Sequence, residues 1–520
     1  MAGGQRSTGR TTRRDFLRSS ALVAGAVAAG RVSDLHAANH DRMIIAYGIP
    51  LLTLDPHQHD NAVHESVLRN IQEPLVTLST DLQKLEPLLA TSWTQLDPRT
   101  LQFKLRQGVK FHNGEDLDAT AVKFTVDRTL NPETKAPLRT TYAGIERAVV
   151  VDRHTVNIVT QKPDPVLLRR MASLHMNILP PKYYGSTSAE ELAKKPVGTG
   201  PYRFVSWTRD ADLLMEASPD YWGQKATIRR VTMRSIREPG TRVAALLSGD
   251  VDVITAVSPD DIDQINRSNR ARAVTIPGNR IAFYMIAVRK PPLDNKLVRQ
   301  ALNYANNMDG IIKTVLEGHG FRRAVISNPW HQGFDETVKP YPYDPAKAKA
   351  LLAQAGHPNG ISITFDGIQG RYPKDKEIAE AMAGEWAKAG IKVELRFHEW
   401  GAWVERADAS KFDGLIFASW GNIWMDADFT YHPLFRSEGR YTTKWTGYKN
   451  PELDALLDEA RGMMDIKRRN ELFGRIQRLV HDDCPAVFMH ALEDIFGVST
   501  RIQWKPRSDE MVFHSQMTKA

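Results

Sequence analysis

The stretch between residues 361 and 397 limits the fold more than any other part of the chain. Apolar and polar residues alternate over 361–365 and again over 391–397, as they do in half-buried strands. Between these segments, apolar residues recur at helical spacing from Ile378 to Ala389, and Gly390 ends the pattern. A strand, a helix and a second strand in this order predict two parallel strands joined by a right-handed crossover. We therefore expect an α/β fold.

The ends of these strands identify candidate binding residues. A short helix around 403–409 precedes another strand at 415–419, so three strands are expected in one sheet. Ligands of such sheets bind beyond the carboxyl ends of the strands. The residues near two of these ends are Trp400, Trp403, Trp420, Asn422 and Trp424, and they are candidates for ligand binding. Each tryptophan has the alternative of packing in the core, where large aromatic side chains are common.

Strands with interspersed helices are predicted for much of the remaining chain. Strand patterns occupy 101–105, 156–159, 251–254, a hairpin at 202–207 and 213–217, and two tail segments at 486–489 and 494–498. Asp294 is expected to cap one helix, whereas Asp344 followed by Pro345 opens another that Gly356 ends. The chain is long enough for two or more domains.

The N-terminus predicts export. Arg13 and Arg14 belong to a twin-arginine motif, and a short apolar stretch of small residues follows at 21–30. That stretch is too short to cross a bilayer, which needs about 20 apolar residues. We interpret residues 1–37 as a cleavable signal for the twin-arginine translocase, cleaved after residue 37 or 38. The alternative is a disordered basic tail.

Cysteine usage and charge exclude several classes of protein. Cys484 is the only cysteine, so neither an intramolecular disulfide nor a lipid anchor on an N-terminal cysteine is possible. The formal net charge is +8, but residues 1–37 hold six arginines against two aspartates. The remaining charge is spread along the chain without a basic stripe, which argues against nucleic-acid binding. We expect a soluble, monomeric periplasmic protein of a Gram-negative cell, without a lipid anchor.

Motifs of catalysis are absent from the sequence, with one exception. There is no G-x-S-x-G elbow and no P-loop, so we predict a protein that is not an enzyme and has no cofactor. His57, His59 and His64 could bind a metal, and a periplasmic metal-dependent hydrolase is the competing hypothesis. The other reading of these residues is a loop whose histidines make ordinary hydrogen bonds. A mature N-terminus beginning at Ala38, with His40 third, would favour Cu(II) or Ni(II).

Four blocks of sequence follow one another along the chain: 54–57, 88–93 with 103–114, 196–202 with 220–223, and 297–305. In this order they resemble the family 5 extracellular solute-binding proteins, which include dipeptide, oligopeptide and nickel receptors. The resemblance covers nearly everything from Met43 to the end of the chain. Glycines, prolines and aromatic residues in two of the blocks suit turns and core packing, so they identify the family without naming a ligand.

The resemblance implies the two-lobed fold of periplasmic binding proteins, type II of the large cluster C kind. Lobe I would span 38–280, with an extra subdomain at about 55–195, and would be completed by 490–520. Lobe II would span 281–489. Two strands would cross between the lobes near 278–281 and 488–491 and form a hinge. The ligand would lie between the lobes, where Leu52, Thr53 and Tyr142 of lobe I would join the candidates of lobe II.

The resemblance also implies a function without chemistry. The chain would be the solute-binding component of an ABC-type importer, delivering a small peptide-like or related solute to a permease in the inner membrane. In peptide receptors of the family, a loop aspartate pairs with the α-ammonium of the ligand, and here Ile423 stands at that position with Asp426 and Asp428 nearby. A buried ammonium needs a partner charge. Free-amine dipeptides are therefore expected to bind weakly.

Overall fold

A computed structural model describes residues 41–173, 175–369 and 372–520. The export signal, its cleavage site and the possible metal-binding N-terminus lie outside the described residues.

The described chain is a mixture of strands and helices. The strands are β1 Arg42–Tyr47, β2 Val76–Leu78, β3 Leu85–Pro87, β4 Ala90–Asp97, β5 Thr100–Leu105, β6 Ile145–Asp152, β7 Thr155–Thr160, β8 Tyr202–Trp207, β9 Asp212–Ala217, β10 Arg230–Ser235, β11 Val253–Ile254, β12 Ala271–Ile286, β13 Phe321–Arg322, β14 Ile361–Ile368, β15 Ile391–His398, β16 Leu415–Gly421, β17 Ala486–Ser499, β18 Ile502–Gln503 and β19 Thr518–Lys519. The α-helices are Ala62–Leu68, Ala119–Leu130, Leu167–Arg170, Pro181–Ser186, Ala189–Leu192, Pro239–Ser248, Ile262–Arg267, Lys296–Tyr304, Met308–Thr314, Pro345–Gln354, Asp375–Lys388, Trp400–Asp408, Ala427–Phe435, Pro451–Gly462 and Ile466–Asp483.

One large sheet runs through both halves of the molecule. Its path is β15-β14-β16-β12-β17-β11-β1-β10-β9-β8, and β13 pairs with β17 outside this path. A separate four-stranded sheet, β4-β5-β7-β6, belongs to the first half. Helices and two or more sheets in one chain confirm the mixed α/β fold that the sequence predicts.

The predicted strand–helix–strand segment is confirmed. β14 and β15 are parallel from Ile361 opposite Ile391 to Ile368 opposite His398, and the helix Asp375–Lys388 joins them. Phe365 also pairs in parallel with Leu415 of β16, so the three predicted strands share one sheet. Their carboxyl ends therefore meet at one edge of the sheet, which is where ligands of such sheets bind.

Two predictions of local structure are wrong. The helix Lys296–Tyr304 is capped by Asn295 and not by Asp294: the Asn295 side chain accepts a hydrogen bond from the backbone N–H of Leu297 at 2.9 Å. The two predicted tail strands form one strand of 14 residues, β17. It stays extended past its polar middle because β12 pairs with it on both sides of that point.

The two longest strands cross between the halves of the molecule. β12 and β17 are antiparallel, but their register breaks between the pair Pro277–Glu493 and the pair Ile281–Ala491. Three residues of β12 thus lie opposite Leu492 alone, which makes a β-bulge at the crossing. The first of them is Gly278, where a β-carbon would lie 2.8 Å from the carbonyl oxygen of Leu492, so a larger residue would not fit.

Separate hydrophobic clusters lie on the two sides of the crossing. Residues from Ile281 to Ala491 form one cluster, whereas strands β1, β9 and β10 pack together with Phe496 and Val498 in another. A third cluster fills the four-stranded sheet and the helix Ala119–Leu130. Each half therefore has a core of its own, which is what two lobes that move as rigid bodies require.

Glu73 makes hydrogen bonds to two of the sequence blocks that carry the family resemblance. Its buried carboxylate accepts hydrogen bonds from Thr199 at 2.8 Å, Tyr221 at 2.7 Å and Trp222 at 2.9 Å. Burial raises the pKa of this carboxyl to about 7. These contacts give the blocks 196–202 and 220–223 a role in holding the fold together.

Candidate functional site

The loop after β16 is held in one conformation by a buried asparagine. Asn422 accepts hydrogen bonds on its side-chain oxygen from the backbone N–H groups of Trp424 and Asp426, at 3.2 and 3.3 Å. Its side-chain nitrogen donates to the Asp426 carbonyl at 2.7 Å and to the Thr430 hydroxyl at 3.0 Å. Because Asn422 is fully buried and uses both ends of its amide, it organises the loop and does not present free polar atoms.

Lobe I closes against this loop. The guanidinium of Arg170 lies over the ring of Trp424, 4.4 Å from the ring centroid, which is a cation–π contact. The hydroxyl of Ser173 donates to the carbonyl of Ile423 at 3.2 Å. Only the backbone of Ile423 makes that hydrogen bond, so the contact does not depend on its side chain. The lobes are in direct contact at the end of β16.

A cavity of about 680 Å³ lies beside this contact and takes its walls from both lobes. That volume is in the range of sites that bind small organic ligands, about 300–1,000 Å³. Trp424 and Phe429 supply aromatic surface, and most of the other side chains are polar or charged. The lobe I residues are Thr140, Thr141, Gly144, Gln161, Lys162, Pro163, Asp164 and Arg170; those of lobe II are Trp424, Asp428, Phe429, His432, Pro433, Arg436, Asp458, Arg461 and Gly462.

Each carboxylate in the cavity wall already has an arginine partner. The partners belong to the same lobe in each case, so lobe opening does not separate them. Burial raises the pKa of Asp164, whereas Arg461 holds the pKa of the buried Asp428 below its usual value. The pairs are Asp164 with Arg170 at 3.0 Å, Asp428 with Arg461 at 2.9 Å and Asp458 with Arg436 at 3.0 Å.

Asp426 also has an arginine partner within lobe II. Its carboxylate oxygens receive two hydrogen bonds from Arg469, at 2.7 and 2.8 Å, and both side chains are almost completely buried. One of the same oxygens accepts from the N–H of Asp428 and so caps the helix Ala427–Phe435. Neither of the two aspartates that the sequence places near Ile423 is therefore unpaired.

The crossing carries a second group of contacts between the lobes. Lys374 of lobe II forms an ion pair with Asp260 of lobe I at 2.7 Å. Arg280, in the β-bulge, lies 3.8 Å from Glu510 of the C-terminal segment and 3.4 Å from the hydroxyl of Ser419. Contacts on both sides of the crossing describe a closed arrangement of the lobes.

The loop that leads from β1 holds Leu52 outward. The backbone N–H of Leu52 donates to Nε2 of His64 at 2.8 Å, while Nδ1 of His64 donates to Asn61 at 2.8 Å. Leu52 is 59% exposed, although it is a large apolar residue. Asp60 of the same loop acts electrostatically on Tyr441, which packs on Trp420 at 5.5 Å between ring centroids. The loop therefore faces the lobe II aromatics.

The histidine cluster is part of the packing beneath that loop. Two of its ring nitrogens bind backbone carbonyls. Nε2 of His57 donates to the His175 carbonyl at 2.9 Å, and Nε2 of His175 donates to the His59 carbonyl at 2.6 Å. Burial lowers the pKa of all four histidines, His64 to about 4. In the part of the chain that the structure describes, no three histidine, cysteine or acidic side chains are placed to hold a metal ion.

The predicted ligand residues occupy different environments. Trp424 lines the cavity, and Trp420 and Ile423 are half-buried beside it. Tyr142 and Thr53 are buried in lobe I, and Trp403 is buried among Phe412 and Trp445 of lobe II. Trp400 begins the helix Trp400–Asp408, and its side chain lies outside the described part of the structure.

Sequence reasoning missed the lobe I side of the cavity and the charged residue Arg461 on its lobe II side. Arg170 and Asp164 lie in a segment without a regular apolar pattern, and Arg461 looks like an ordinary residue at the end of an amphipathic helix. No local signal identifies them, because only the approach of the two lobes brings them together.

Two α/β lobes that share a pair of crossing strands and enclose a cavity define a solute-binding protein. None of the described helices is long and apolar enough to cross a membrane.

Comparisons with known proteins agree with this class. The family model for bacterial extracellular solute-binding proteins, family 5 Middle, matches residues 84–442. The chain is 30% identical to heme-binding protein A of Haemophilus influenzae, covering 80% of this chain and 81% of that protein. It is also 30% identical to the dipeptide-binding protein of Escherichia coli, covering 80% and 82%. The periplasmic binding protein DppA from Helicobacter pylori, solved with the peptide STSA, superimposes with a TM-score of 0.78 at 26% identity, over 92% of this chain and 98% of that one.

The chain therefore belongs to the family 5 bacterial extracellular solute-binding proteins. The prediction of a solute-binding component of an ABC-type importer is confirmed. The alternative of a metal-dependent hydrolase receives no support from these relatives.

Proposed function

We propose that this protein captures a peptide-like solute without a free α-ammonium in the cavity between its lobes and delivers it to an inner-membrane permease. The observation that carries the proposal is the cavity of about 680 Å³ with walls from both lobes. A ligand favours the closed form only if it binds that form better than the open one. A site shared between the lobes gives this preference, because half of its contacts vanish when the lobes separate.

The chemistry of the cavity wall supports a ligand of this kind. Asp164, Asp428 and Asp458 each have an arginine partner, and Asp426 is paired with Arg469. A ligand ammonium would have to displace an arginine from the buried Asp164, Asp426 or Asp428, and leaving a buried charge unpaired costs about 3–5 kcal/mol, whereas the exposed pair of Asp458 is worth less than about 1 kcal/mol. Trp424 and Phe429 offer surface to apolar groups of the ligand, and the backbone and amide groups of the wall can bond its peptide-like parts.

Export through the twin-arginine route places this function in the periplasm. The motif at Arg13 and Arg14 supports that route. In this proposal the mature protein is a monomer, since a permease distinguishes loaded from empty receptor by the spacing of two lobes. No chemical step is needed in the cycle.

The identity of the ligand is tested by releasing it from the purified protein. Protein purified from its native periplasm should yield one dominant small molecule on unfolding, identified by mass spectrometry. Arg170→Ala should lose that molecule, because Arg170 supports both Trp424 and the cavity wall. Arg106→Ala is a matched control, since Arg106 makes the same kind of contact with Trp222, at 4.3 Å, and neither residue lines the cavity. Equal ligand content in both variants would contradict a site in this cavity.

The absence of ammonium recognition is tested by calorimetry with matched peptides. We expect Ala-Ala to bind no more tightly than N-acetyl-Ala-Ala, because no unpaired carboxylate awaits its ammonium. Sub-micromolar binding of Ala-Ala together with much weaker binding of the acetylated peptide would refute this part of the proposal. It would mean that one of the arginine-paired aspartates changes partner on binding.

A further inference from the structure

The β-bulge at the crossing is bonded to lobe II through one buried side chain. Asn279, the middle residue of the bulge, is only 4% exposed. Its side-chain oxygen accepts a hydrogen bond from Nε2 of His331 at 2.8 Å, and its side-chain nitrogen donates to the carbonyl of Asn422 at 3.0 Å. Its own carbonyl accepts from the side chain of Asn328 at 2.9 Å. These three polar groups of Asn279 all have partners in lobe II.

The histidine in this network keeps its hydrogen bond to Asn279 near neutral pH. Nδ1 of His331 accepts from the backbone N–H of Asn328 at 3.1 Å, so Nε2 carries the proton that is donated to Asn279. Burial lowers the pKa of His331 to about 3. The ring stays neutral, and the anchor of Asn279 does not titrate near neutrality.

The other end of the network reaches the surface on which lobe I closes. Asn422 fixes the loop through four hydrogen bonds, and that loop meets Ser173 and Arg170 of lobe I. A continuous path of buried contacts thus runs from the bulge through Asn279 and Asn422 to the interface between the lobes. A bulge is also the place where a strand pair most easily absorbs a change in backbone angle.

We propose that Asn279 is a positioning residue that couples the angle between the lobes to the conformation of the loop 422–426. The proposal rests on the proposed function, in which ligand is captured by closure. Rotation at the bulge must either carry the loop along or break the two side-chain hydrogen bonds of Asn279, to His331 and to Asn422. Breaking them is unfavourable, because it leaves buried polar groups unpaired. The loop therefore changes position together with the lobe angle, and ligand and closure act on the same element.

The test measures the distance between the lobes without any ligand, so it does not depend on the identity of the solute. Cysteines replacing Val151 of lobe I and Ile466 of lobe II, which are 52% and 43% exposed, would carry spin labels. Cys484 is completely buried and does not compete for the label. Asn279→Ala should broaden the distance distribution and shift it to longer distances relative to the labelled parent.

Asn306→Ala is the matched control. Asn306 is buried and donates to the carbonyl of Phe488 at 2.7 Å, so this variant also loses a side-chain hydrogen bond to a crossing strand, at the second register shift beside Phe488 and not at the bulge that holds Asn279. We expect its distance distribution to remain that of the parent. If Asn279→Ala does not fold, Asn279→Asp decides the question, because it keeps the acceptor for His331 and turns the contact with the carbonyl of Asn422 into a repulsion between two oxygens.

Two results would overturn the proposal. One is a distance distribution of Asn279→Ala and Asn279→Asp that matches the parent. The other is an equal shift in Asn306→Ala, which would trace the effect to general loss of stability. Failure of the peptide calorimetry would leave these distances unaffected, so the two proposals can fail separately.

Discussion

The ion pair between Asp426 and Arg469 decides whether the loop after β16 can offer a carboxylate to a ligand. The two side chains are 1% and 0% exposed and share two hydrogen bonds of 2.7 and 2.8 Å. Removing one partner leaves the other charge buried and unpaired, which costs about 3–5 kcal/mol. Asp426→Asn should therefore lower the free energy of unfolding by about that amount, while it keeps a side-chain oxygen that can cap the helix.

Asp426→Ala should lower the free energy of unfolding further than Asp426→Asn, because it also removes the helix cap. The helix Ala427–Phe435 loses the acceptor for the Asp428 N–H, which adds about 1 kcal/mol. Arg469→Met alone should also destabilise strongly, and combining it with Asp426→Asn should restore much of the loss, because no unpaired charge remains. Urea unfolding followed by tryptophan fluorescence measures each value.

The control for this cycle is an exposed pair of the same kind. Asp458 receives two hydrogen bonds from Arg436, at 3.0 and 3.1 Å, but its side chain is 54% exposed. Asp458→Asn should cost less than about 1 kcal/mol. If Asp426→Asn costs no more than this control, the buried pair contributes little, Asp426 is free to change partner, and the argument against ammonium ligands fails.

Three further predictions concern export, closure and pH. Changing Arg13 and Arg14 to lysine should leave precursor in the cytoplasm, which cell fractionation would detect; a normal periplasmic yield would contradict the signal. Trp420→Ala should weaken ligand binding without unfolding the protein. Small-angle scattering of the parent should show that the protein becomes more compact when the released ligand binds, and an unchanged scattering profile at saturation would argue against closure. Burial raises the pKa of Glu73 to about 7, so the stabilisation from its protonated form is complete below pH 4.5 and is lost as the pH rises through 7. Between pH 4.5 and 8 the unfolding free energy of the wild type should fall by about 3 kcal/mol more than that of Glu73→Gln; parallel profiles would contradict the shift.

Local periodicity was enough to predict the α/β segment of lobe II. The first half of β14 and the helix Asp375–Lys388 bury one face each, so the alternation at Ile361 and the helical spacing around Trp386 reflect the packing directly. The continuity of β17 was not predictable in this way, because the polar residues in its middle lie at the crossing and pair with β12 instead of entering a core.

The candidate site was predictable on one side only. The strand ends of lobe II pointed to Trp420 and Trp424, since the edge of a parallel sheet has a known relation to binding. The lobe I partner of Trp424, Arg170, lies more than two hundred positions away in the chain, and their meeting depends on how the lobes close. Aspartates near Ile423 were recognised from sequence, but their commitment to Arg461 and Arg469 depends on helix packing that carries no motif.

The loop conformation has a consequence for how ligand preference diverges among related receptors. Asn422, Asp426 and Thr430 hold the backbone, and lobe I touches the carbonyl of Ile423 without using its side chain. That side chain can therefore be replaced without dismantling the closing surface. We expect a change of this one codon, such as one giving Ile423→Asp, to alter which solutes bind while the contacts that close the lobes stay the same.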